Sequence, residues 1–303
     1  MIKSLLVFLK GMAMGAADVV PGVSGGTIAF ITGIYYDLLS AINAVNLKTL
    51  KELKTEGIAF VWKKINGNFL VALVAGIAVS FLSLSKLFKH LLDTNPNLVW
   101  AFFFGLVLGS IFLVSRMIGK WNWKTTLATI VGTAISYYLT IIQPGGEANT
   151  SLFIFMSGAI AICAMILPGV SGSFILLILG VYYPMLEAVS ELDIKFIATL
   201  GAGAIIGLLS FSRFLKWLLD KHYDITVAIL LGSLIGSLNK LWPWKHTLQT
   251  RLNSHNVEVP FIQENVLPSA VENPQLLGAI ALMIVGVAVI VVMSKFTPKE
   301  SHD

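Results

Sequence analysis

Charge is what this chain has least of. Asp, Glu, Lys and Arg make up 12% of its 303 residues, against 56% apolar residues and a mean hydropathy of +0.83. A soluble domain carries about twice that share of charged residues, so the composition describes a polytopic membrane protein. The single cysteine, Cys163, excludes an internal disulfide and has no neighbours with metal-ligand spacing. His90, His222, His246, His255 and His302 fall in loops, segment ends or the tail. None forms a metal spacing or pairs with a nucleophilic serine, so no enzyme signature appears and neither cofactor nor metal is expected. The formal charge of +5 comes from Lys and Arg clustered between apolar runs. Orientation in a membrane produces that pattern, and nucleic acid is not an expected partner.

What is present is a repeated turn. Pro21-Gly22-Val23-Ser24-Gly25-Gly26-Thr27 returns as Pro168-Gly169-Val170-Ser171-Gly172-Ser173. A Pro-Gly pair inside an apolar run interrupts a helix, so both turns are helix breaks within the membrane. With an offset of 147, Gly11, Ala17, Gly33, Tyr35, Tyr36, Leu39 and Ala41 also meet Gly158, Ala164, Gly180, Tyr182, Tyr183, Leu186 and Ala188. An offset of 127 then aligns Gly76 with Gly203 and the pair Gly105 and Gly109 with Gly232 and Gly236. Small residues at that spacing let helices approach closely in lipid. The first segment resembles a signal peptide, but Lys10 breaks its apolar run and cleavage would remove half of a matched pair.

These alignments predict an all-α fold of two inverted repeats, residues 1–145 and 146–303. Each is a re-entrant helical hairpin, 2–45 or 151–189, followed by three transmembrane helices. The spans are expected at about 68–88, 97–115, 125–142, 196–217, 225–239 and 275–294, near the roughly 20 residues that cross a bilayer. Loop charges choose hairpins over broken spans: with hairpins, fifteen of the twenty-one Lys and Arg share the face that holds both termini. Termini on the cytoplasmic side follow from the positive-inside rule. Loop 46–66 reads as a basic loop, and loop 240–274 as an extracytoplasmic one. That long loop is either a connection whose Trp242 and Trp244 mark the headgroup level or a lid over a lipid-facing entrance.

The second limb of each hairpin starts at a turn, so its free N–H groups point to the membrane interior. Ser24, Gly25, Gly26 and Thr27, with Ser171, Gly172 and Ser173, form an anion-binding pattern around the turn residues Pro21, Gly22, Pro168 and Gly169. The plainer reading makes Ser24 and Ser171 N-caps and the glycines turn formers. Asp18 is a carboxylate within an apolar segment: a proton carrier, or a hydrogen-bond acceptor for the opposite tip. Arg116 and Arg213 stand near span ends, suited to phosphate capture or to marking topology.

The stretches 11–27 and 163–173 resemble the two signature turns of the bacterial polyprenyl-phosphate transporter (PopT) family, and the likeness covers essentially the whole chain. The resemblance implies a flippase of the bacterial plasma membrane. Its substrate would be undecaprenyl phosphate, moved from the outer to the cytoplasmic leaflet for reuse in cell-envelope synthesis. The phosphate head would meet the two tips in turn as the repeats rock, with Asp18 coupling protons to the step. A small-anion transporter or channel would use the same tips. Membrane lipids are expected partners, and a homodimer is left open.

Overall fold

The computed structural model describes residues 2–19, 24–142, 150–252 and 258–295, so the turn residues Pro21 and Gly22 lie outside the described residues. The first limb is helix α1 (Ile2–Val19), followed by the short helices α2 (Gly25–Ile31) and α3 (Tyr35–Ala44). The second half opens in the same way, with α9 (Ser151–Ile166), α10 (Gly172–Ile178) and α11 (Tyr182–Glu191). The expected second limbs are therefore not single helices. They bend by 112° between α2 and α3 and by 104° between α10 and α11.

The cause of both bends is a glycine. Gly33 and Gly180 hold φ of 69° and 71°, a left-handed conformation that ends a helix at little cost in glycine. The next amides reach back to close each end in a Schellman motif, Ile34 N–H to Ala29 O at 3.0 Å and Val181 N–H to Leu176 O at 2.9 Å.

Six longer helices complete the frame: α6 (Gly67–Thr94), α7 (Pro96–Ser115), α8 (Trp123–Ile141), α12 (Ile194–Lys221), α13 (Tyr223–Leu241) and α14 (Leu276–Lys295). Five of them are long and apolar enough to cross a membrane; α8 has the length but is less apolar. Pro96 at the first turn of α7 and the capping box of Asn122 with Thr125 on α8 fix where these helices begin. Lipid-side residues such as Leu82 and Leu277 are left exposed by the protein itself, as expected of a chain whose solvent is hydrocarbon.

Helix pairing repeats between the halves. α1 packs along α6 and α9 along α12, while α8 packs along α13 and α14 along α7. The glycines permit these approaches. Gly11 abuts the Leu73 carbonyl and Gly76 that of Phe8; at the same offsets, Gly158 abuts Leu200 and Gly203 abuts Phe155. Gly105 faces Met283 and Gly286 faces Phe102 in the α7–α14 seam, just as Gly232 faces Thr129 and Gly132 faces Ile229 in the α8–α13 seam. No side chain could replace them without pushing the backbones apart.

Two loops are more ordered than their composition suggests. Loop 46–66 holds α4 (Leu47–Thr55) and α5 (Ile58–Lys64), whose Leu47, Leu50, Ile58 and Trp62 are exposed beside five lysines. That is the pattern of helices lying in a membrane interface. Loop 240–274 departs from the all-α expectation with an antiparallel hairpin, β1 (Lys245–Leu252) and β2 (Glu258–Asn265). Trp242 and Trp244 fasten it: their indole N–H groups donate to Val266 O and Pro274 O, both at 2.8 Å. Trp244 is buried, so its role is structural.

Candidate functional site

The two tips meet. Ser24, the N-cap of α2, donates its hydroxyl to Met165 O at 3.0 Å, with Leu167 O at 3.4 Å. Thr27 Oγ1 accepts the Gly169 N–H at 3.0 Å, and the Tyr35 hydroxyl donates to Ile166 O at 3.0 Å. Ser24, Thr27 and Tyr35 are all buried, so these bonds are shielded from solvent. Gly26 lies so close that a Cβ there would sit 2.6 Å from Ile166 O. From behind, Ser233 Oγ donates to Pro168 O at 2.5 Å, and Ser136 Oγ donates to Ser233 O at 2.8 Å. Gly169 itself holds φ of 84°, with a Cβ position 2.9 Å from Ser233 O, so glycine is required there on both counts.

The first tip is already filled by a carboxyl group of the chain itself. The Asp18 carboxylate accepts the Gly25 N–H at 2.7 Å, Ser24 Oγ accepts the Gly26 N–H at 3.1 Å, and Ser24 O accepts the Thr27 N–H at 2.9 Å. Among the described residues Asp18 thus bonds its own tip and not the opposite one. The second tip lacks this device. The position matching Asp18 is Met165, Ser171 makes no side-chain capping bond, and its hydroxyl instead pairs with the exposed Ser173 hydroxyl at 2.9 Å.

Beside the second tip a small space lined by Ser136, Thr140, Gly169, Ser171, Phe174 and Lys240 shares Thr140, Phe174 and Lys240 with a cavity of about 380 Å³ under the β-hairpin. Lys240 and Lys245 both line that cavity, and the sequence pattern did not single them out. Burial, with Lys240 nearby as the lesser cause, pushes the Lys245 ammonium down to about 7. Arg116 and Arg213 lie elsewhere. Both are exposed, Arg116 stacks over Phe112 at 4.1 Å, and neither lines the cavity or contacts a tip among the described residues.

Fold and site together define a polytopic helical membrane protein whose two bent-helix tips are sewn to each other by hydroxyl and backbone bonds. The chain belongs to the VCA0040-like, undecaprenyl phosphate translocase-like family, whose model matches residues 14–259. It is 46% identical over 300 residues to a protein of Vibrio cholerae named polyprenyl-phosphate transporter, covering 97% of each chain. A Staphylococcus aureus protein of the same name is 34% identical over 256 residues, covering 78% of this chain and 85% of its own. No solved structure matches the chain.

Proposed function

We propose that this chain carries a polyprenyl phosphate, undecaprenyl phosphate in particular, from the outer to the cytoplasmic leaflet of the bacterial plasma membrane, its termini facing the cytoplasm. The observation that carries the reading is the meeting of two broken-helix tips, the kind of helix end at which backbone donors reach an anionic head once the internal acceptors that now hold them are displaced. The relatives' names supply the substrate class. A long prenyl tail stays in lipid during such a step, and only the phosphate needs a protein path.

In this reading the two halves are inverted repeats, and the head engages Ser171, Gly172 and Ser173 before Ser24, Gly25, Gly26 and Thr27. Asp18 holds the first tip closed as a built-in anion. Protonation of its carboxylate weakens the bond to Gly25 and frees an N–H for the incoming phosphate, which ties proton uptake to head transfer. The second tip needs no such release because it has no carboxylate of its own.

The test is transport of a fluorescent short-chain prenyl phosphate in proteoliposomes, read as protection from an external quencher. Flipping above protein-free vesicles, absent for the neutral prenyl alcohol and insensitive to excess inorganic phosphate, is the expected result. Full competition by inorganic phosphate would replace the lipid substrate with a small anion.

A further inference from the structure

Two cations share one cavity on the side of the protein where positive charge is scarce. Under the hairpin topology only six of the twenty-one Lys and Arg lie on the face of the β-hairpin, and two of the six, Lys240 and Lys245, line one cavity. Both are half-buried, and neither forms an ion pair among the described residues. The carboxylate that also lines the cavity, Glu264, sits 3.7 Å from the His246 ring. Two neighbouring ammonium groups removed from water repel each other and lose hydration, a cost that an anion between them reverses.

Helix capping explains only one of the pair. Lys245 Nζ donates to Lys240 O at 2.7 Å at the C-terminal end of α13, as a capping lysine does, and lies over the Trp100 ring at 4.0 Å from its centre. Lys240 Nζ donates no hydrogen bond among the described residues and lies 4.5 Å from the centre of the Phe174 ring, one residue beyond Ser173. Its cation therefore bridges the cavity and the helix that carries the second tip. Asn239 and Thr140 add polar groups to the wall, joined by a 2.7 Å bond.

We propose that Lys240 and Lys245 form a docking site for a phosphate monoester head, occupied by the prenyl phosphate before the head reaches the second tip. The site rests on the transport reading and gives it an entry point. The cavity is large enough for a phosphate, whereas the space between it and Ser171 holds about 10 Å³, room for about one water. In this conformation the head therefore stops at the lysines. The apolar wall of Ile141, Ile142 and Leu177 gives the first isoprene units a surface on the way out to lipid.

The experiment measures binding of farnesyl phosphate, inorganic phosphate and farnesol to the full-length protein, wild type against Lys240→Met, Lys245→Met and the double variant. Thermal unfolding monitors the fold. Lys240→Met is the decisive single change, because no hydrogen bond among the described residues depends on its ammonium. The expected result is at least tenfold weaker farnesyl phosphate binding in Lys240→Met, more in the double variant, near-normal binding in Lys240→Arg, and none of farnesol. Wild-type affinity in Lys240→Met and in the double variant would overturn the docking site and leave the transport reading standing. Failure of the wild type to bind any prenyl phosphate would overturn the transport reading and the site with it. Lysine-dependent binding of inorganic phosphate as tight as that of farnesyl phosphate would keep the site and assign it to a free anion.

Discussion

The Asp18 carboxylate accepts the Gly25 N–H at 2.7 Å, so the helix that opens at the first tip is closed by a charge from the helix before it. A carboxylate at a helix N-terminus is stabilising, and inside a membrane it also supplies a partner for a group that would otherwise have none. Asp18→Asn keeps an acceptor oxygen and should leave the unfolding temperature nearly unchanged. Transport should lose its response to an imposed pH gradient. Asp18→Ala removes the acceptor and should cost about 1–2 kcal/mol of stability. A pH-responsive Asp18→Asn protein would dismiss proton coupling at this residue.

Ser24 and Ser171 occupy matching positions but do different work. Ser24 both caps α2 and reaches across to Met165, so Ser24→Ala should destabilise the protein by about 1–3 kcal/mol. Among the described residues Ser171→Ala loses only the bond to Ser173, so it should melt like the wild type while binding prenyl phosphate more weakly. Unimpaired transport by the double alanine variant would reject head binding at the tips.

Gly26→Ala tests the contact between the tips. The added methyl meets the Ile166 carbonyl at 2.6 Å, and backbone on both sides must move. Loss of transport with a measurable fall in unfolding temperature is expected. Gly201→Ala, where a Cβ meets nothing within 4 Å, is the neutral control.

Lys245 predicts a direction for stability against pH. Its ammonium is held down at about 7, chiefly by burial, whereas the unfolded chain keeps it near its ordinary value of 10.5. Between those values the unfolded state binds more protons, so stability of the ligand-free protein should rise from pH 7 toward pH 10. Tryptophan-monitored melting of wild type and Lys245→Met measures this. An equal slope in the two proteins would rule the residue out as the source.

Arg116→Gln and Arg213→Gln should leave prenyl phosphate affinity within about twofold, since both side chains are exposed and away from tips and cavity. A larger loss in the same binding assay would restore a role in phosphate capture.

The positions of the long helices and the second half's likeness to the first were legible because apolar length and repeated glycines are direct traces of close helix packing. Gly33 and Gly180 were seen as matching letters, yet their positive φ was not, because a glycine in an apolar run reads equally well as a packing site. The β-hairpin and helices α4 and α5 left only short-range patterns in loops chosen for their polarity. Asp18 was noticed for its charge, but its partner depends on a turn that brings residue 25 back to residue 18. Lys240 and Lys245 escaped notice because they become neighbours only when β1 folds over the end of α13, a relation with no period in the chain.

The exchange of helices between the halves limits how the molecule can move. Because α8 lies in a glycine seam with α13 and α14 in one with α7, sliding one half past the other would break two of the closest backbone contacts in the structure. These four helices form a block woven from both halves of the chain. The pairs α1 with α6 and α9 with α12 each carry one tip, and α12 is also tied to the first half, where Ser212 bonds Asn43 and both Lys216 and Asp220 reach the Tyr36 hydroxyl. On the proposed transport reading, movement of one half against the other exchanges the bonds at Ser24, Thr27 and Tyr35 together with those of α12 to Asn43 and Tyr36.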